Sequence, residues 1–335
     1  MREAKVAING LGRIGRAALK IILETPELEL VAVNDIVPAD NLAYLLNYDT
    51  VYGRYEKDVK AKSPDLVIDG DRYEVLGVED PEQLPWDAYD VDIVFECTGV
   101  FRRAEDLKKH LKAGADHVIL SAPPKDESIG TVVHGVNAPE EESPEMVSCA
   151  SCTTNCIAPV VEVMERKVGI DKAIMTTVHA YTASQAIVDS PSKKIRRGRA
   201  GAANLVPTST GAAIATTKTL PEHEGKFDGK AIRAPVTVGS IADIVFLTSR
   251  EVSVGEVNDA FREESVTERY SGILGVAEDP LVSSDIIQDS RASVVDLGMT
   301  QVVDGNLVKV MSWYDNEWGF TNQMIREGVS IAESA

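Results

Sequence analysis

Three of the chain's four cysteines stand within eight residues, in "CASCTTNC" (149–156). The spacing C-x₂-C-x₃-C has three chemical readings. A metal cluster needs a fourth soft ligand or a His. The remaining cysteine, Cys97, lies in "FECTG", no second C-x₂-C exists and the five His are scattered, so no metal is expected. Plain burial suits Cys149 and Cys156. A nucleophile suits Cys152, because "SCTTN" opens a helical stretch that runs to about Lys167. A thiol in a helix's first turn feels the dipole and the nearby amides, which predicts a lowered pKa and thiolate character. Pro159 is predicted to kink that helix, since it has no N–H for the carbonyl of Asn155.

A nucleophilic thiol needs a base. His179, in "TTVHAYT", is the best placed of the five His, in a β-rich run that leads to the polar "YTAS". His110 and His117 flank a predicted helix, His134 lies near a Gly, and His223 sits in a charged loop. A lone His is more often a surface or satisfied core residue, so the residues alone leave His179 open. "KKIRRGR" (193–199) puts five cations into seven residues of an acidic chain. It reads as a solvated face, an anion site or a contact to an acidic interface. Arg suits bidentate phosphate binding. "TSTG" (208–211) adds hydroxyl and amide donors that can cradle an oxyanion, and Arg233 in "AIRAP" is an isolated cation in a β-rich run.

Residues 10–15, "GLGRIG", form a G-x-G-x-x-G between the strand-like "KVAIN" and the helix-like "RAALKIILE". That strand–turn–helix context is what a dinucleotide fingerprint requires. Gly10 allows the tight turn, Gly12 lets a pyrophosphate approach the backbone, and Gly15 lets helix and strand pack closely. The helix N-terminus supplies amides and positive potential for phosphates. Asp35 ends the next strand-like run, where an acid accepts hydrogen bonds from the ribose hydroxyls of NAD and disfavours a 2′-phosphate. A glycine-rich turn in an unrelated α/β protein is the bland alternative.

These residues need elements to position them. The apolar runs at 28–35, 92–99 and 117–123 alternate with helical stretches such as "RRAEDLKKHLKAG" (102–114). Strands alternating with helices predict an α/β fold with a parallel, doubly wound sheet. After residue 150 the runs at 173–182, 231–249 and 293–315 are longer and rich in β-branched residues. They predict a mainly antiparallel sheet with covering helices, and "DGN" (304–306) is a hairpin signal. The C-terminal "GFTNQMIREGVSIAESA" reads as a helix that packs back on the first domain.

The chain has 335 residues, enough for two domains with sizeable cores. No apolar run approaches the ~20 residues of a membrane span. "MREAKVAING" lacks the apolar stretch of an export signal. Reduced thiols in a cytoplasm are therefore expected. Asp and Glu outnumber Lys and Arg 53 to 34, a net charge of −19. Such a surface repels nucleic acid and anionic membrane. Spread over the whole chain, the excess reads as adaptation to high salt, where screening removes self-repulsion; an ordinary acidic cytoplasmic protein is the alternative.

The motifs "INGLGRIGR", "VAVND", "ECTGVF", "ASCTTNC", "TTVHAYT", "PTSTGAA" and "SWYDNEWG" occur in this order over nearly the whole chain. Together they closely resemble phosphorylating glyceraldehyde-3-phosphate dehydrogenase of the bacterial and eukaryotic type. The resemblance implies a Rossmann NAD-binding domain over 1–150, a catalytic domain over 151–318, and the helix 319–335 against the first domain. It implies that Cys152 attacks the aldehyde of glyceraldehyde 3-phosphate and that His179 takes the proton. A hydride then passes to NAD, and inorganic phosphate cleaves the thioester to give 1,3-bisphosphoglycerate. By motif, Arg13 and Ile14 contact the pyrophosphate and Asp35 the ribose. Thr98 and Ser121 line the cofactor cleft, and Asn316 orients the nicotinamide amide. Thr182 and Arg233 match the pocket for the substrate's phosphate; Ser151, Thr153, Arg197, Thr210 and Gly211 match the attacking-phosphate side. The segment with the basic run corresponds to the family's S-shaped loop, which reaches a neighbouring subunit in a homotetramer.

Three positions depart from the family pattern. Glu79 stands where relatives often place an Arg near the adenine, Ser190 where NAD-specific relatives commonly carry Leu, and Ser184 where an acid often sits. Two rival readings are a sister enzyme that oxidises erythrose 4-phosphate without phosphorolysis, and a non-enzymatic redox-sensing or interaction role. The first should weaken the attacking-phosphate site, and the second should lose Cys152, His179 or Asn316. Neither loss is present.

Overall fold

A computed structural model describes residues 3–139 and 143–334. Two compact units emerge. One comprises the chain up to Val132, Ala138–Ala150 and the chain from Met324; the other comprises Val133–Asn137 and Ser151–Gln323.

The first unit is built on strands β1 (Ala4–Asn9), β2 (Leu28–Asn34), β3 (Ile93–Glu96), β4 (His117–Leu120), β5 (Gly130–Thr131) and β6 (Met146–Ser148). They form one sheet in the order β5-β6-β4-β3-β1-β2, with every pair parallel. Parallel sheets are covered on both faces, so their strands read as continuous apolar runs. Val6–Ile8, Ile93–Phe95 and Val118–Leu120 are all fully buried. Helix α1 (Arg13–Ile22) follows β1, α2 (Ala39–Asn47) follows β2, and α3 (Ala104–Lys112) joins β3 to β4. The chain leaves β1 for β2 on one side and later places β3 on the other. That reversal opens a crevice at the strands' carboxyl ends, where ligands bind in such sheets. A three-stranded antiparallel sheet over residues 59–73 is an addition that the sequence reading did not mark.

The second unit holds α4 (Cys152–Lys167), β7 (Ile170–Ala180), β8 (Val206–Ser209), α5 (Ala212–Thr219), β9 (Phe227–Ala234) and β10 (Ser240–Thr248). It continues with α6 (Val254–Ser265), β11 (Leu274–Ala277), β12 (Ser293–Asp296), β13 (Gln301–Val303) and β14 (Leu307–Tyr314). The eight strands make one mixed sheet, β8-β9-β7-β10-β14-β12-β11, with β13 also on β14. The pairs β7–β9 and β11–β12 are parallel and the others antiparallel. The hairpin at 304–306 turns through Asp304 and Gly305, both at positive φ, the conformation that Asp-Gly turns supply. Residues 153–164 of α4 are all buried, and the helix runs through Pro159. A helix buried all round is a core element, and here its apolar side chains pack with Ile244, Phe246, Val308 and Tyr314 of the sheet.

The last helix, α7 (Trp318–Ser334), ends in the first unit. A Cβ at Gly328 would stand 2.6 Å from the Phe95 ring, so the absent side chain is what lets the helix lie against β3.

Candidate active site

The thiol and its partner come from two elements with opposite periodicities. Ser151 is the N-cap of α4, its Oγ accepting from the Thr154 amide at 3.1 Å. That cap starts the helix at Cys152 and holds the sulfur in its first turn. In β7 the side chains alternate, with Lys172, Ile174 and Val178 exposed and Met175, Thr177 and His179 buried. Period two therefore aims His179 inward, and its Nε2 lies 3.4 Å from Cys152 Sγ. The other three cysteines are buried free thiols, and Cys152 keeps partial exposure.

The electrostatics correct the expectation of a lowered thiol pKa. Burial pushes Cys152 up; the charge of Arg233 and the hydrogen bonds from Thr153 pull it down and are outweighed, so it ends above its ordinary value. Burial likewise holds His179 down to about 3, aided by the charge of Arg233 and opposed by the Ala180 carbonyl. Both shifts favour the neutral forms of the thiol and the imidazole, and a neutral imidazole at this distance can act as a base.

Arg233 reaches the same place from β9, its register partner being His179 itself. Its Nη1 lies 2.6 Å from His179 Nδ1 and 2.8 Å from the Ala180 carbonyl oxygen. Its buried Nε has no hydrogen-bond partner among the described residues. An unpaired donor on a buried cation is a vacancy for an anion's oxygen.

A second anion-shaped group lies in the same unit. Arg197 Nε donates to Thr208 Oγ1 at 3.1 Å, and its Nη1 lies 3.4 Å from Ser184 Oγ, which in turn pairs with Thr182 Oγ1 at 2.8 Å. Lys194 is lowered first by the charge of Arg197 and then by burial. Cations that repel one another this closely favour an anion between them. Thr210 Oγ1 accepts from the Ala212 amide, and Gly211 is the N-cap of α5.

Two residues of the site, Tyr314 and Ser240, went unread in the sequence. Tyr314 is buried, stands nearly perpendicular to the His179 ring, and bonds Thr153 at 2.9 Å and Thr177 at 2.8 Å through its hydroxyl. Ser240 accepts from the Ala180 amide and donates to Asn316 Oδ1 at 2.8 Å, which fixes the amide of Asn316. "SWYDNEWG" contains Tyr314, but nothing local marks a Tyr as a support for a distant His.

The first unit carries the glycine turn. Gly10 is at φ +92 and its Cβ would meet Thr98 at 2.8 Å. A Cβ on Gly15 would fall 1.8 Å from the Gly10 carbonyl oxygen. A Cβ on Gly12 meets no atom of the described residues within 4 Å. Gly12 is also the N-cap of α1, with no side-chain cap. This open helix N-terminus fits a pyrophosphate. Asp35 accepts from the Leu11 amide at 2.6 Å and the Val37 amide at 2.9 Å, which ties it to the turn at the end of β2. Arg13 pairs its side chain with Asp49, so its guanidinium already has a partner. Thr98 donates to Glu96, a buried carboxylate that also accepts from Asn9 at 2.6 Å. Ser121 follows β4, its amide donating to the Glu96 carbonyl at 3.1 Å. Among the described residues no His, Cys, Asp and Glu group could hold a metal ion, and no helix is long and apolar enough to cross a membrane.

A sheet with a dinucleotide-type glycine turn, and a thiol in a helix's first turn beside a buried imidazole, define the class: a nicotinamide-dependent dehydrogenase. The sequence family described as "Glyceraldehyde 3-phosphate dehydrogenase, NAD binding domain" matches residues 4–104, and the one described as its C-terminal domain matches 151–316. The chain belongs to the glyceraldehyde 3-phosphate dehydrogenase family. It is 46% identical over 332 residues to the glyceraldehyde-3-phosphate dehydrogenase of Haloarcula vallismortis, covering 98% of each chain. It is also 46% identical to that of Geobacillus stearothermophilus over 98% of each chain, and to glyceraldehyde-3-phosphate dehydrogenase 1 of Bacillus cereus over 96%.

Proposed function

We propose that this chain oxidises D-glyceraldehyde 3-phosphate to 1,3-bisphosphoglycerate with NAD and inorganic phosphate. The observation that carries the reading is the 3.4 Å pairing of Cys152 Sγ with His179 Nε2 beside two anion-ready Arg side chains. Cys152 attacks the aldehyde carbon while His179 takes the thiol proton, giving a hemithioacetal. His179 passes its proton to the aldehyde oxygen and then takes the hydroxyl proton of the hemithioacetal, and NAD, when bound, would supply the hydride acceptor that oxidation to a thioester needs. Inorganic phosphate then attacks the acyl carbon, and the Cys152 sulfur leaves as thiolate. Thioester formation keeps the oxidation energy in a bond that phosphate can cleave.

Arg233 and Thr182 hold the substrate's phosphate, with the unpaired Nε of Arg233 supporting that role. Ser151, Thr153, Arg197, Thr210 and Gly211 serve the attacking phosphate. In the first unit, read as the cofactor domain of residues 1–150, the amides at Gly12, Arg13 and Ile14 receive the pyrophosphate. Asp35 receives the ribose and repels a 2′-phosphate. Gly10, Thr98 and Ser121 line the cleft, and the anchored Asn316 meets the nicotinamide amide.

The enzyme works as a homotetramer in the cytoplasm. Support comes from the exposed sheet face of β7, where Ile174 is 62% exposed, and from Ile195 in the basic loop at 85%. Large apolar side chains this exposed on a charged chain suit burial in an interface. Four free thiols suit a reducing compartment.

The test is NADH formation from glyceraldehyde 3-phosphate with and without inorganic phosphate, with erythrose 4-phosphate and NADP as parallel arms. Phosphate-dependent turnover that vanishes in Cys152→Ser is expected. Turnover that ignores phosphate, or that survives in Cys152→Ser, would remove the reading.

A further inference from the structure

Ser240 opens β10 and Tyr314 closes β14, and the two are paired in register. Asn316 lies two residues past that strand end, which brings it within reach of the Ser240 side chain. Ser240 is fully buried. Its Oγ accepts from the Ala180 amide at 3.1 Å and donates to Asn316 Oδ1 at 2.8 Å. The carbonyl oxygen of Ala180 is held as well, 2.7 Å from His179 Nδ1 and 2.8 Å from Arg233 Nη1. The hydroxyl therefore leans on a fixed stretch of backbone.

A side-chain amide has a donor end and an acceptor end, and its hydrogen-bond network decides which way round it sits. Ser240 has one proton to give. With Oδ1 of Asn316 toward it, that proton has an acceptor. With the amide turned over, Nδ2 would donate to Oγ, and the hydroxyl proton would have no acceptor among the described residues. That is a costly state for a group at 0% exposure. Oδ1 is therefore committed to Ser240, and Nδ2 is turned away from it. Asn316 is only 5% exposed, and its Nδ2 makes no hydrogen bond among the described residues. A buried amide with an unused donor end fits an acceptor that comes from outside the chain.

We propose that Ser240 is a positioning residue for the coenzyme: it holds the Asn316 amide so that only an N–H donor is offered to the nicotinamide, and the ring is selected by the carbonyl of its 3-substituent and not by the amino group. The proposal rests on the reading of Asn316 as the partner of the nicotinamide amide. Its consequence is a specificity at the ring. A 3-substituent with a carbonyl and no amino group satisfies the site, and loss of the Ser240 hydroxyl loosens the site for the ring alone. The same hydroxyl ties this donor to the peptide that follows His179, so the holder of the coenzyme ring and the base are set by one piece of backbone.

The test is calorimetric titration of the whole enzyme with NAD, ADP-ribose and 3-acetylpyridine adenine dinucleotide. ADP-ribose lacks the pyridinium ring, so the ratio of its Kd to that of NAD reports the ring alone. The acetyl analogue keeps the carbonyl and lacks the amino group. In the unsubstituted enzyme its Kd should match that of NAD to within about fivefold. Ser240→Ala leaves Oδ1 without its donor and lets the amide turn. It should lower the ADP-ribose-to-NAD ratio by about 3- to 10-fold, with the Kd of ADP-ribose unchanged. A hydroxyl that only supports the fold would weaken both ligands together and leave the ratio as it was. An unchanged ratio in Ser240→Ala overturns the proposal. So does an acetyl analogue that binds more than about fivefold more weakly than NAD, and that arm needs no variant. Asn316→Ala separates the proposal from the reading beneath it. A lowered ratio there, with an unchanged one in Ser240→Ala, keeps the nicotinamide reading and removes the role of Ser240. An unchanged ratio in both variants removes both.

Discussion

Cys152 shows how one residue can carry two opposed pressures. Its place in the first turn of α4 favours thiolate, and its burial favours thiol; burial prevails. In the proposed reaction the reactive state is therefore made by proton transfer to His179 and is not stored. His179→Asn removes the acceptor and is expected to lower kcat by roughly 10²- to 10⁴-fold, measured by steady-state NADH formation. The same imidazole links stability to pH. Its folded pKa of about 3 lies below the unfolded value of about 6.5. The unfolded chain therefore binds the extra proton between those values, so stability is full above about pH 6.5 and falls as pH drops through the window. From pH 7 to pH 5 the loss from this one group is about 2 kcal/mol. Urea unfolding of His179→Gln should show a pH dependence shallower by that amount; identical slopes would mean that the ring titrates with the same pKa in the folded and unfolded chain.

At the scale of elements, the turn between β1 and α1 and the start of α4 are each set by one small residue. Gly15→Ala drives a methyl to within 1.8 Å of the Gly10 carbonyl oxygen. It should lower the melting temperature and abolish NAD binding together. Gly12→Ala meets no described atom, and its φ of −67 suits any residue. It should keep the melting temperature and weaken NAD binding, since the methyl occupies the space left for pyrophosphate. Calorimetry paired with NAD titration separates the two, and equal effects would deny the turn its cofactor role. Ser151→Ala removes the cap of α4 and should cost about 1 kcal/mol. Its kcat should fall as well, because the cap sets where the helix, and hence the sulfur, begins.

At the scale of the whole molecule, the outward face of β7 presents Ile174 and Val178 to solvent on a chain of net charge −19. A subunit so acidic repels its copies unless screened, and at about 1 M salt the screening length is about 3 Å. Sedimentation should show the proposed homotetramer strengthening, and activity rising, as KCl goes from dilute to molar. Loss of activity over that range would count against salt adaptation. Ile174→Asp should yield smaller species at any salt, because a new charge would be buried at the interface. An unchanged assembly would remove this face from the proposed interface.

Much was legible in the sequence because it is written locally. The β-rich run around "TTVHAYT" put His179 on a strand, "SCTTN" started a helix near Cys152, and "GLGRIG" marked a turn between a strand and a helix. Each of these depends on neighbours within a few residues, where backbone conformation is set by side-chain type and spacing. What only the tertiary structure decided is what those residues meet. Tyr314 reaches Thr153 across 161 positions and Arg233 reaches His179 across 54, through strand pairings that no local pattern encodes. The thiol's raised pKa is of the same kind. The helix dipole could be inferred from the residues around Cys152, but the burial that outweighs it comes from strands folded over it from elsewhere in the chain.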